Sequence, residues 1–177
     1  MSEYSSPDER RNVNSLLKER LGQDLLDILK RISQIGDRIT VPVFVVGGVV
    51  RDLLLNIPNK DIDIVVEGNG ILFASDLAEE FDGKVKSHEK FGTSVVIFPD
   101  GYRIDVAMAR VEYYEYPAAL PTIKQSSVNS DLYRRDFTIN SLAVKLNGED
   151  AFCLMDLFNG ERAVSYTHLT LPTILLV

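Results

Sequence analysis

Two aspartates one residue apart, a glycine pair ahead of them and an arginine between are the residues of this sequence best equipped for chemistry. Asp61 and Asp63 lie in DIDIVV, whose other members are apolar. A strand would put both carboxylates on one face, about 6.6 Å apart along the chain at ~3.3 Å per residue, with Ile62 and Ile64 on the other. Such a pair repels. A divalent metal, or two of them ~3.5 to 4 Å apart, bridging the acids and a triphosphate would remove the repulsion and give the spacing a purpose. Two acids on the wet face of an edge strand would share the spacing, although Val65 and Val66 continue the strand with no further polar residue.

The elements that would position these acids can be read from the neighbouring sequence. Val43 to Val46 is β-branched and aromatic throughout, which predicts a short strand buried on both faces. Gly47 and Gly48 end it and open a helix carrying Arg51 and the apolar Leu53, Leu54 and Leu55. A glycine turn lets a ligand approach the backbone, and a helix start offers free N–H groups to a phosphate. Arg51 would add a planar, permanently charged fork. An ordinary strand-to-helix turn with solvated Arg51 and Asp52 would look the same, and GG alone does not exclude it.

Further along, Arg103-Ile104-Asp105-Val106 sets one acid among apolar neighbours on a predicted strand, so Asp105 is a candidate third carboxylate. A salt bridge to Arg103 or Arg110 would satisfy it equally well. In DLYRRDFTIN, Arg134, Arg135 and Asp136 precede a short helix and could clamp phosphates and accept a hydrogen bond from a ribose hydroxyl. His88 has no partner for a histidine metal site or a triad, because His168 is the only other histidine, so it reads as structural.

Taken together, GGVVRDLLLN, DIDIVVEG, FGTSVVIFPDGYRIDVAMAR, YYEYPAALPT, DLYRRDFTINSLAV and MDLFNG resemble the head of the class II tRNA nucleotidyltransferases and bacterial poly(A) polymerases, in the polymerase β-like nucleotidyltransferase superfamily. The wording around Tyr113 to Thr122 and Asp131 to Asn140 is most similar to the A-adding or poly(A)-polymerase-like members. The resemblance implies a mixed α/β (α+β) head, with a twisted, mainly antiparallel sheet of about five strands backed by helices. It implies nucleotidyl transfer from nucleoside triphosphates, ATP and for some members CTP, to the 3' end of tRNA or another RNA, releasing pyrophosphate. By the same resemblance Asp61, Asp63 and Asp105 would hold Mg²⁺. Gly47, Gly48, Arg51, Arg134, Arg135, Asp136 and Asn140 would bind the nucleotide. Ser141 stands where many relatives have alanine. Poly(A) synthesis is the alternative within the class, and a non-catalytic nucleotide-binding regulatory module the alternative outside it, disfavoured by the two intact acids.

The composition, 45% hydrophobic and 25% charged over 177 residues, suits a soluble globular domain. A net charge of −7 gives no general attraction for RNA, so the surfaces that grip it are expected largely outside this sequence. The single cysteine, Cys153, excludes an internal disulfide. With no signal-like start and no run approaching a membrane span, the expected compartment is the cytoplasm.

Residues 1–36 read as a polar linker followed by one amphipathic helix from Asn14 to Gly36, packed on the head or leading to an upstream domain. The head itself is expected over 37–163. Arg110 to Ser130 reads as a long irregular segment, either a flap near the nucleotide or a surface loop in which Tyr113, Tyr114 and Tyr116 cover the core. Residues 164–177, beginning VSYTHLTLPT, depart from the family pattern and read as non-native sequence of the kind a sequencing adapter leaves.

Overall fold

A computed structural model describes residues 11–113, 116 and 122–166. Its elements run α1 (Asn14–Arg20), α2 (Gln23–Arg38), β1 (Val43–Val46), α3 (Gly48–Leu55), β2 (Ile62–Val66), α4 (Gly70–Glu80), β3 (Lys84–His88), β4 (Thr93–Ile97), β5 (Arg103–Met108), β6 (Arg110–Tyr113), β7 (Thr122–Gln125), α5 (Val128–Tyr133), β8 (Leu142–Lys145), β9 (Leu154–Asp156) and α6 (Gly160–Tyr166). Seven strands form one sheet in the order β3-β4-β5-β2-β1-β8-β9. Every adjacent pair is antiparallel except β2 and β5. The mainly antiparallel α/β architecture is the expected one. Two edge strands, β3 and β9, carry the count beyond about five. β3 is exposed along its whole length, and Lys84 and Lys86 on it discourage further strand pairing.

The two faces of the sheet are covered differently. Val43, Val45, Ile62, Ile64, Ile104, Val106 and Val144 join Leu29, Ile32, Phe73 and Leu77 from the helices in the main core. The alternate residues Phe44, Val46, Val65 and Ala143 meet Val128 and Leu132 of α5 in a smaller core. β1 is therefore buried on both faces, as its unbroken apolar run predicts.

The amino-terminal helical pattern is interrupted where a single helix was expected. Leu21 and Gly22 take extended backbone angles between α1 and α2. Glycine is a poor helix former, and the break lets Leu17 and Leu26 both reach the core. Gly36, expected as the stop, lies inside α2. A Cβ there would come within 2.6 Å of Val43 and 2.7 Å of Asn147, so this glycine serves the close approach of helix to strand. In place of an irregular segment, β6 and β7 pair as a separate two-stranded ribbon. Tyr113, at the end of β6, and Tyr116 are exposed, and Tyr114 lies outside the described residues. So do residues 1–10 and 167–177; residues 164–166 end α6, where Val164 is buried.

Candidate active site

Strand polarity gathers the candidate residues at one end of the sheet. β1 runs antiparallel to β2 and to β8, while β5 runs parallel to β2. The end of β1 at Gly47 therefore meets the beginnings of β2 at Asp61, of β5 at Arg103 and of β8 just past Asn140. The N–H of Gly47 donates to the Leu142 carbonyl at 3.0 Å, which ties two of these ends together.

Asp63 and Asp105 are direct partners in the parallel register of β2 and β5. Both are exposed, with Ile62, Ile64, Ile104 and Val106 buried on the other side. Val65 and Ala107, two residues on in each strand, belong to the smaller core, so the acids extend the face that α5 covers. Asp63 is held above the ordinary aspartate range, first by partial burial, then by the charge of Asp105, with Asp61 adding a smaller push and Arg135 opposing. Arg110, a possible partner for Asp105, instead donates to Glu112 at 3.1 Å and to the Phe91 carbonyl at 2.5 Å. Among the described residues, no three Asp, Glu, His or Cys side chains form a ready metal cage.

Gly47 has φ +75° and ψ −135°, a conformation glycine adopts freely, and a Cβ there would lie 3.3 Å from Arg135 Nη1 and 3.7 Å from Asp63 Oδ2. Gly48 leaves room: a Cβ would meet Arg51 at 3.6 Å and Asn59 at 3.9 Å, ordinary contacts. At the start of α3 the Val50 and Arg51 N–H groups donate to the Gly47 carbonyl, both at 3.2 Å, and helical geometry leaves only those of Gly48 and Val49 outside the helix's own bonding. Arg51 donates from Nη1 to Asn140 Oδ1 at 2.9 Å and from Nε to Asp52 Oδ1 at 2.8 Å.

The two arginines of DLYRRDFTIN divide. Arg135 faces Gly47 and Asp63. Arg134 donates from Nε and Nη2 to Asp131 Oδ1 at 3.0 and 2.8 Å and lies 3.3 Å from Glu112. Arg135 Nη2 reaches the other oxygen of Asp131 at 3.2 Å. The Asp131 side chain is wholly buried. Asp136 is exposed at the start of the turn that carries Asn140.

Sequence reasoning missed Asp131, Asp52 and Asn59. Asp131 had a readable signal, since i to i+3 and i to i+4 spacing before Arg134 and Arg135 sets up ion pairs on a helix. Asp52 had none, because residues next to each other on a helix do not share a face. It is buried, and although burial raises it, hydrogen bonds from Arg51 and Asn59 outweigh that and hold it below the usual carboxylate range. Tyr102 supports the same region by donating to the Lys60 carbonyl. Burial, then the charges of Asp61 and Asp100, push its phenol up to about 12, so it stays a donor.

A family profile described as the Poly A polymerase head domain matches residues 43–170. An A-adding tRNA nucleotidyltransferase of Geobacter sulfurreducens is 53% identical over 156 residues, which make up 88% of this chain and 18% of that protein. Among solved structures, the apo form II of a CCA-adding enzyme superposes with a TM-score of 0.82 at 49% identity, over 88% of this chain and 37% of that one. A Thermotoga maritima CCA-adding enzyme complexed with tRNA does so with a TM-score of 0.76 at 43% identity, over 88% of this chain and 34% of that one. The chain thus spans less than a fifth of the first relative and about a third of the solved enzymes.

Proposed function

Since the chain belongs to the Poly A polymerase head-domain family of class II tRNA nucleotidyltransferases, we propose that it is the catalytic head of an enzyme that adds AMP, alone or after CMP, to the 3' end of tRNA and releases pyrophosphate. The observation that carries this reading is the side-by-side register of Asp63 and Asp105 beside the Gly47 turn.

The donor set fits a divalent cation. Asp63 is pushed up partly by the charge of its neighbour, and a bound cation would relieve that. Mg²⁺ is ordinarily bound by one or two carboxylates completed by substrate phosphates and water, which a neighbouring pair of aspartates can supply. Asp63 and Asp105 would hold it, with Asp61 at the mouth of β2. When bound it supplies charge neutralisation at the reacting phosphate.

The chain's own residues do the positioning. The Gly47–Gly48 turn would let a triphosphate reach the N–H groups that open α3, with Arg51 and Arg135 supplying positive charge. Asp136 and Asn140, the latter hydrogen-bonded to Arg51, would make the hydrogen bonds to the ribose. The RNA 3'-hydroxyl attacks the α-phosphate, its proton goes to solvent or a carboxylate, and pyrophosphate leaves with its charge balanced by the arginines. Catalysis by such a site is orientation and electrostatic stabilisation. Among the described residues, no helix is long and apolar enough to cross a membrane. The cytoplasm, where mature tRNA is used, is the proposed compartment.

The test is incorporation. A full-length protein carrying this head, given each labelled triphosphate with tRNA lacking its 3' end or with oligo(A), should extend the tRNA from ATP in the presence of Mg²⁺. Preference for oligo(A) would reassign the enzyme to poly(A) synthesis. ATP binding without incorporation would leave a regulatory nucleotide-binding module.

A further inference from the structure

We infer that Asp52 is a positioning residue that sets Arg51 and Asp61 relative to each other, acting on Asp61 through Asn59; the inference rests on the nucleotidyl-transfer reading above. Asp52 sits on the inner side of α3, only 7% exposed, where an ionised carboxylate needs a full complement of donors. Each oxygen takes one from a different part of the site. Oδ1 accepts from Arg51 Nε at 2.8 Å, and Oδ2 accepts from Asn59 Nδ2 at 2.7 Å. Asn59 relays the constraint, because its Oδ1 accepts the Asp61 N–H at 2.8 Å. At the other end, Arg51 Nη1 reaches Asn140 Oδ1 at 2.9 Å. One buried carboxylate therefore joins the phosphate-facing helix, the loop entering β2 and the turn after α5.

Packing does not do this job for the loop. Asn56, Ile57, Pro58 and Lys60 are exposed, and Asn56 takes the left-handed conformation that ends α3. The Ile57 N–H on the Asp52 carbonyl at 2.9 Å holds the start of the loop, and its approach to Asp61 is held by the Asp52–Asn59 hydrogen bond and by the Tyr102 hydroxyl on the Lys60 carbonyl. Loss of the Asp52–Asn59 hydrogen bond leaves that approach held by Tyr102 alone, and loss of the Asp52 carboxylate also frees the Arg51 fork.

The two arms make different predictions. In a full-length protein carrying this head, Asn59→Ala cuts only the arm to Asp61, so kcat should fall about tenfold to a hundredfold while KM for ATP stays near wild type. Asp52→Asn disturbs both arms, because its amide group cannot accept from Arg51 and Asn59 together; kcat should fall and KM for ATP should rise. The reciprocal exchange Asp52→Asn with Asn59→Asp restores one donor and one acceptor across the contact. The new carboxylate can still accept the Asp61 N–H, and kcat should return to within about threefold of wild type. Thermal midpoints measured on each variant separate folding from turnover. If Asp52→Asn does not fold, Asn59→Ala and the exchanged pair carry the comparison. Wild-type kcat and KM in the single variants, or an exchanged pair no better than the worse single, would overturn the inference. Asp63→Asn and wild type run alongside: incorporation by wild type that Asp63→Asn abolishes upholds the reaction, so unaffected Asp52 and Asn59 variants then sink this inference alone. Wild type that does not incorporate sinks both.

Discussion

Asp63 and Asp105 face each other across the one parallel strand pair in the sheet, β2 and β5, so two carboxylates distant in the chain share a single edge of the site. Antiparallel neighbours alone would have placed the beginning of β5 at the opposite end of β2. The parallel pairing is what makes the acids adjacent.

From this pairing follows a pH dependence. Asp63 has a raised pKa in the folded chain, so folding takes up protons there. Its contribution to stability is present below the ordinary aspartate pKa and is lost as pH rises through the raised value. Asp63→Asn should therefore raise the metal-free thermal midpoint at neutral pH and flatten its decline between the two pKa values, while lowering transfer by about a thousandfold or more in a full-length protein. Melting curves from pH 3 to 8, with and without Mg²⁺, check this. A midpoint lower than wild type at pH 7 without metal would contradict it.

The two turn glycines should respond differently. Gly47→Ala forces a side chain into φ +75° and toward Arg135, a strain of about 1–3 kcal/mol seen as a lower melting point. Gly48→Ala meets only ordinary contacts and should melt close to wild type. Gly48→Val should keep the fold but weaken ATP binding, because a branched side chain stands where the phosphate approaches. Calorimetric titration with ATP and Mg²⁺ distinguishes the two effects; unchanged affinity in Gly48→Val would move the phosphate seat elsewhere.

Asp131 and its arginines make a third test. Its side chain is fully buried between Arg134 and Arg135, and Asp131→Ala should cost about 1–3 kcal/mol, because it removes the anion that two partly exposed guanidinium groups share while Arg134 keeps Glu112. Arg135→Lys should weaken ATP binding. Arg134→Lys should act chiefly on stability, since its partners are Asp131 and Glu112. Denaturant unfolding and ATP titration of both lysine variants would expose a reversed order of effects.

The 177-residue chain should bind the four nucleoside triphosphates with little preference and should require a divalent cation to do so. The side chains gathered at Gly47 address phosphate, cation and sugar, which are the same in ATP, CTP, GTP and UTP. Net charge −7 supplies no general attraction for a phosphate backbone, so RNA extension by this chain alone should be slight. A metal-independent preference for one base would place a base-reading group among these residues.

Local patterns carried much of this protein. The apolar run of β1, the alternation in DIDIVV and the Gly47–Gly48 turn each depend on backbone sterics and side-chain period, which a few neighbouring residues specify. The helix break at Gly22 and the reason for Gly36 were not legible. The first depends on two helix faces reaching one core, the second on how near Val43 and Asn147 come.

At the site, chain order specifies which residue types stand near one another: two acids on one strand, a glycine turn before a helix, adjacent arginines after an aspartate. The fold selects which of them meet. It set Asp105 directly beside Asp63, because strand register is fixed by burying Ile62, Ile64, Ile104 and Val106 on the other face. It turned Arg135 to Gly47 and gave Arg134 to Glu112, since α5 must place Val128 and Leu132 against the sheet before its last turn can point anywhere. It also made Asp52 a buried link between Arg51 and Asn59. A carboxylate with so few exposed atoms has to find its donors across the fold, and no spacing along the chain encodes that search.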